Sequence, residues 1–440
     1  MRRDAARKDD PDDDPSSLQG ECLLEGRTLA EIVLAYHERT KHHPHRYAAS
    51  RTMDWATQPD PFRRYAGAEL VRLPLPELGR TLPHWQLYVP GSVRPMPLSI
   101  ESLSIFFRYA LSLTAWKRYR ESTWSLRANP SSGNRHPTEG YAILPALDGL
   151  HAAPAIHHYA PKEHGLERRL ELEPAVWSAL MMEFPSGSFL VGLSSIHWRE
   201  AWKYGERAFR YYQHDAGHAL AAMRISAASL GWQLSLLSDA GDDEVCDLLG
   251  LDRGTQGESA EREHPDLLAL VTPVRPEGSA GLPRGLPEDP LRAVAAGCWR
   301  GNANALSPAH RDKWPVIDEV ARATHRIGES RTAEDFSPLP SEDELFVPLV
   351  RSGSFSAEMV ILGRRSAVSM DATTSIEAAT FYRMLARLVP TRDGRSMPWD
   401  TVPLKPASTS VSSFIACVGC LPACTRSFAT QARSRLSARR

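Results

Sequence analysis

A domain that mixes helices and strands, α+β or α/β, is what this sequence predicts, and three observations carry that expectation. Short β-type runs recur at residues 141–144, 156–159, 189–193 and 267–272, each bounded by Gly, Pro or charged residues. A long helix is predicted over residues 206–230, where Phe209, Tyr212, Ala216, Leu220, Met223, Ala227 and Leu230 make one apolar stripe and Gly231 follows as a stop. A shorter stripe, Leu103, Phe106, Phe107, Ala110 and Leu111, opens at Ser99-Ile100-Glu101 with Ser99 as its N-cap.

The chain's 440 residues exceed one ordinary domain, so two units, or one with extensions, are expected. Hydrophobic residues at 42% and charged residues at 24% describe a globular protein with a sizeable core. Lys and Arg number 52 against 53 Asp and Glu. That balance lacks the positive field of a general nucleic-acid binder and favours a small neutral partner. Met1 to Ser17 carries charges of both signs and no apolar run, so residues 1–20 read as a disordered tail, with no secretory signal or membrane anchor, in a cytoplasmic protein.

Cys22, Cys246 and Cys298 are scattered and make no disulfide framework. Cys417, Cys420 and Cys424 crowd together, but no second pair or following histidine completes a zinc ligand set. A first helix is expected from Leu29 to His37. After it, His42, His43 and His45 flank Pro44, which breaks any shared register, and the stretch to Pro61 reads as a loop wrapping the core.

Residues 276–300 are rich in Pro and Gly, and the whole of 276–345 reads as a linker after a first domain at 21–275. A second unit is expected at 346–403. There Ser375-Ile376-Glu377 repeats the triplet found at Ser99 and heads a similar stripe, Phe381, Tyr382, Leu385 and Leu388, the mark of a partial internal duplication. Residues 404–440 change to Ser, Ala, Cys and Arg. They read either as a truncated or frame-shifted terminus or as a disordered basic tail for an acidic partner.

The chemistry concentrates in a few segments. Pro130-Ser131-Ser132-Gly133-Asn134 is a turn of small residues whose amides and hydroxyls can approach a planar or anionic ligand closely. Lys203-Tyr204 places an ammonium beside a phenol, which is expected to favour phenolate and lower the tyrosine pKa. His214 and His218 share a helix face and offer a zinc alternative, but the metalloprotease pattern wants Glu directly after the first histidine.

Ser131 to Asn134 with Arg135-His136-Pro137-Thr138-Glu139, followed by Ile156-His157-His158-Tyr159 and by Lys203-Tyr204-Gly205-Glu206-Arg207 with Asp215-Ala216-Gly217-His218, resembles the nitroreductase superfamily in its SagB-type, thiazole/oxazole dehydrogenase branch. The resemblance covers about residues 97–275. It implies a nitroreductase-like FMN-binding fold, a mainly antiparallel sheet flanked by helices, here with a partial second copy. It also implies FMN against Ser131, Ser132, Gly133 and Asn134, and a phosphate grip from Arg364-Arg365-Ser366 with Arg39 as counterpart in the first half.

In that family two subunits share the site, so a homodimer, or a pseudo-dimer within one chain, is implied. Tyr204 is expected to take the substrate proton while Lys203 holds its charge state. The substrate is expected to be a small molecule or a peptide-borne heterocycle, with NAD(P)H as a transient reductant. A non-catalytic scaffold that kept the fold is the alternative, motivated by the incomplete second half.

Overall fold

The computed structural model describes residues 26–42, 53–76, 82–253, 261–273, 283–310, 313–328, 355–367, 369–388 and 397–401. Its strands are β1 (Tyr65–Ala66), β2 (Glu69–Arg72), β3 (Leu113–Tyr119), β4 (Ser122–Arg127), β5 (Thr138–Leu144), β6 (Ala155–Ala160), β7 (Gly165–Glu171), β8 (Phe189–Ile196), β9 (Gln233–Leu236), β10 (Glu263–Thr272) and β11 (Asn302–Ala303). Its helices are α1 (Leu29–Thr40), α2 (Ile100–Ala110), α3 (Pro174–Met181), α4 (His197–Tyr204), α5 (Ala208–Ser229), α6 (Asp242–Leu249), α7 (Glu288–Ala295), α8 (Pro315–Ala323), α9 (Ala357–Gly363) and α10 (Ala378–Ala386).

A sheet of 7 strands in the order β2-β7-β6-β5-β8-β10-β9 is antiparallel at every pairing. Its central strands β5, β6 and β8 are buried along their whole length. Burial on both faces explains why residues 141–144 of β5 and 189–193 of β8 read as continuous apolar runs rather than as alternation.

Alternate residues of one strand serve two cores. Ala142, Leu144, Val191 and Leu193 face Phe106, Phe107, Met223 and Ala227 of α2 and α5. Tyr141, Ile143 and Leu190 face Leu180, Val245, Leu248 and Val294 of α3, α6 and α7. Fully burying one such side chain contributes about 1.5–3 kcal/mol, so these two layers set the architecture.

The helix signals lie where local chemistry puts them. Ser99 caps α2 by accepting from the Ser102 amide, and Thr28 caps α1 in a reciprocal pair with Glu31. Gly231 ends α5 at φ +71, where an added Cβ would stand 2.7 Å from the backbone of Arg94 and Pro95. α10 opens at Ala378, so Ser375 is not its cap.

The segment read as a linker is built into the fold. α7 and α8 lie inside 276–345; α7 packs on α3 and α6, and α8 on α1. A proline does not by itself mark a linker: Pro315 occupies the first turn of α8, where its missing N–H is harmless.

The described residues of 346–403 are short helical pieces laid on the first domain, and they add no strand to the sheet. Ala357 and Met397 pack with Leu87 and Ala228, and Asp400 pairs with Arg224 of α5 at 2.6 Å. The expectations for residues 1–20 and 404–440, and for Cys22, His43 and His45, fall outside the described residues.

Candidate functional site

The small-residue loop joins β4 to β5. It turns through a single 3₁₀ turn at Ser132–Asn134. Gly133, Asn134 and His136 all hold positive φ, at 56°, 59° and 52°. Left-handed backbone at the two non-glycine positions costs on the order of 1–3 kcal/mol each, so the surroundings must hold the loop in shape.

Those surroundings are explicit. Ser131 Oγ accepts from the His136 amide at 2.8 Å, and Asn134 Nδ2 donates to the Ser125 carbonyl at 2.9 Å. Ser132 donates its amide to both Asp215 oxygens, at 2.9 and 3.0 Å, and its hydroxyl to Oδ1 at 3.0 Å. Asp215 is a buried residue of α5, so the helix behind the sheet fixes the loop.

α4 delivers Lys203 and Tyr204 onto the same loop from its last turn. A Cβ added at Gly133 would stand 2.4 Å from Tyr204 Oη and 2.6 Å from Lys203 Nζ. Both side chains thus close over a position that only glycine can fill. Tyr204 leans on Tyr211 with ring centroids 4.3 Å apart, and the Arg135 guanidinium lies 5.1 Å from the Trp202 ring.

The electrostatics reverse the expectation for this pair. Burial first, then the nearby Glu200 carboxyl, pushes the Tyr204 phenol above its ordinary value. Burial and the Arg135 charge push the Lys203 ammonium below its own. An adjacent lysine was expected to lower the tyrosine, but desolvation of the half-buried ring outweighs it. Both shifts favour the neutral form of each group, an amine at Lys203 and a phenol at Tyr204.

Around the loop the charges are mostly positive. The acid facing both Arg135 and Lys203 is Glu200, which burial and then Asp215 hold well above the usual carboxylate range. Arg364 donates towards the carbonyls of Arg127 and Ala128 at 3.3 and 3.4 Å, just ahead of Pro130. A positive-φ cradle without room for a side chain, ringed by Arg135, Lys203 and Arg364, fits a planar ligand bearing negative charge.

The other phosphate candidates sit differently. Arg365 donates to the Leu362 and Arg364 carbonyls just past the end of α9, and Ser366 is exposed. Arg39 forks onto Glu206 at 2.5 and 2.7 Å, which ties α1 to the residue that follows Gly205. His214 is held down to about 4 by burial and then by Arg210, and His218 lies 3.8 Å from Asp215. Among the described residues no group of at least 3 His, Cys, Asp or Glu side chains is placed to hold a metal ion.

Two participants escaped the sequence reading. Asp215 enters the sequence reading only within the segment that carries the resemblance, with no role of its own, and Glu200 carries no motif at all. Glu200 was detectable in principle, because it precedes Lys203 and Tyr204 by one helical turn and so shares their face. A larger ionic core was also invisible: His158 bonds Glu139 at 3.1 Å and Glu167 at 2.9 Å, and Arg199 pairs with Glu139.

This fold and this site define a class. Residues 110–258 match the Nitroreductase family and form a nitroreductase family domain within the chain. Among curated proteins the chain is similar to the trifolitoxin-processing protein TfxB of Rhizobium leguminosarum bv. trifolii, 28% identical over 169 residues, or 36% of this chain and 44% of that protein. It thus spans less than half of TfxB. It is also similar to MJ1384 of Methanocaldococcus jannaschii, a candidate nitroreductase, 24% identical over 179 residues, 40% of this chain and 81% of the relative. Among solved structures it shares the fold of a candidate nitroreductase from Anabaena variabilis, with TM-score 0.51 and 21% identity over 81% of this chain and 67% of the other. Among the described residues no helix is long and apolar enough to cross a membrane.

Proposed function

We propose that the chain is an FMN-dependent oxidoreductase of the nitroreductase superfamily, SagB-type, acting on a small molecule or a peptide-borne heterocycle. The observation that carries this reading is the convergence of Lys203 Nζ and Tyr204 Oη on Gly133. Bound FMN supplies two-electron hydride chemistry. Everything else is the work of side chains in this chain.

Ser131, Ser132, Gly133 and Asn134 line the cradle, and Asp215 holds it open by gripping Ser132. Arg364 brings a positive charge from the 346–403 segment to the same loop, as a second half in one chain, or a partner in a homodimer, would do. Arg365 and Ser366 stand next to it in sequence and Arg39 on α1; each is proposed to serve the phosphate only if it leaves its present partner or surface position. Lys203 accepts the proton that a substrate loses as its hydride departs, and Tyr204, kept as a phenol, orients the reacting group by donating to it. NAD(P)H as transient reductant and a cytoplasmic location belong to the same reading.

The similarity to a trifolitoxin-processing protein supports a peptide-borne substrate, and the similarity to MJ1384 supports the redox class. The test is an absorbance spectrum of the purified full-length chain, followed by anaerobic addition of candidate substrates. A flavin spectrum that bleaches with substrate supports the enzyme. A colourless protein that added FMN does not stabilise against heat sinks it and favours a scaffold.

A further inference from the structure

Glu200 is a buried acid that the scheme above leaves without a task. It lies on α4, 0% exposed, one turn before Lys203 and Tyr204. The charged or titratable groups facing it are Asp215 on α5, Arg135 on the loop, and Lys203 and Tyr204 on its own helix. His218 faces Asp215 from the next turn of α5.

As a carboxylate, Glu200 finds no donor for either oxygen among the described residues. The carboxyl that acts on it is Asp215 of α5, the helix on which α4 packs. Two carboxylates offer each other only acceptors, so their contact is a bond only when one oxygen holds a proton. Asp215 already accepts the Ser132 amide through both oxygens and the Ser132 hydroxyl through Oδ1, so its oxygens are committed as acceptors. The proton therefore sits on Glu200.

We propose that Glu200 is a positioning residue, a neutral carboxyl that donates to Asp215, so that a single negative charge clamps Ser132 while Arg135 and Lys203 stay uncompensated towards the ligand cradle. Burial and the Asp215 charge both favour the protonated form of Glu200, in agreement with this geometry. An ionised Glu200 would instead neutralise Arg135 and Lys203, strengthen the Lys203 ammonium and repel Asp215. The purpose assigned to the pair rests on the flavin reading above, whereas its geometry does not.

The test uses the full chain and two variants. In Glu200→Gln the amide can donate to Asp215 as the protonated acid does, whereas Glu200→Ala removes the donor. Infrared difference spectra at neutral pH should show a protonated-carboxyl carbonyl band in the parent that Glu200→Gln lacks. The comparison is made as a difference because Asp266, which is half-buried, is also pushed up to about 7.

In FMN titration Glu200→Gln should stay within about twofold of the parent, and Glu200→Ala should weaken by about tenfold or more. No band lost in Glu200→Gln, or a Glu200→Gln as impaired as Glu200→Ala, overturns the proposal. If Glu200→Ala does not fold, the parent and Glu200→Gln spectra still decide. If no form binds FMN, the flavin reading fails, and the infrared band alone settles the state of Glu200.

Discussion

Gly133 and Tyr204 are in contact so close that the hydrogen replacing a side chain at Gly133 is part of the site. A Cβ there would lie 2.4 Å from the phenol oxygen, on a backbone already at φ +56. Gly133→Ala is therefore expected to strain both the turn and α4, at about 1–3 kcal/mol for the backbone alone. Thermal melts should fall, and FMN binding should weaken by about tenfold or more. Adding Tyr204→Phe removes the nearest atom and should restore part of the loss. A Gly133→Ala protein that melts and binds FMN like the parent would contradict the described loop.

Lys203→Ala and Tyr204→Phe are expected to retain flavin and to lose turnover by roughly 10²–10⁴-fold, the usual share of a positioned acid or base. The pH profile separates them. Because Lys203 sits below its ordinary value and must be unprotonated to accept a proton, activity should rise with pH through its pKa. That limb should vanish in Lys203→Ala and persist in Tyr204→Phe. Steady-state rates across pH on protein checked for bound flavin provide the measurement.

Arg364 and Arg365 are expected to part company. Arg364 reaches the carbonyls before the cradle, so Arg364→Ala should weaken FMN binding severalfold, by about 1 kcal/mol or more. Arg365→Ala should change little, since its guanidinium turns back onto the Leu362 and Arg364 carbonyls at the end of α9. Equal affinity in both variants and the parent would remove the 346–403 segment from the site.

Stability should fall on both sides of a slightly acidic optimum. His157 is held at about 3 and His164 and His264 at about 4 by burial, so they stay neutral in the fold while the unfolded chain takes up protons below 6.5. Their contribution is present above 6.5 and fades as pH drops through those values. His158 is the opposite case, held at about 9 although burial opposes its charge, because Glu139 and Glu167 bond to it. Its contribution is present below 6.5 and is lost as pH rises through about 9. Melting temperatures from acid to alkaline pH check both limbs, and His158→Gln should flatten the alkaline one.

Much of the fold was legible in one dimension because its signals are local. Apolar runs mark β5, β8 and β10, a short β-type run at residues 156–159 marks β6, and the stripe from Phe209 to Leu230 marks α5. The edge strands β2 and β9 and the inner strand β7 were missed, since partly exposed or charge-bearing strands such as Glu69–Arg72 and Gly165–Glu171 carry no apolar run. α7 and α8 were missed because each is short and sits among prolines that looked like linker.

The sequence by itself determined the cradle loop, the Lys203-Tyr204 pair and the helix behind them, because each is a contiguous motif. Only the tertiary structure decided how they work together. Bringing α4 and α5 side by side set Glu200 against Asp215 and tied Ser132 to the helix. Burial of Tyr204 and of Lys203 then favoured the neutral form of each, against the phenolate that their adjacency in sequence suggests. The reason is physical: a pKa depends on how much water a group loses and which charges face it in space, and neighbours along the chain report neither.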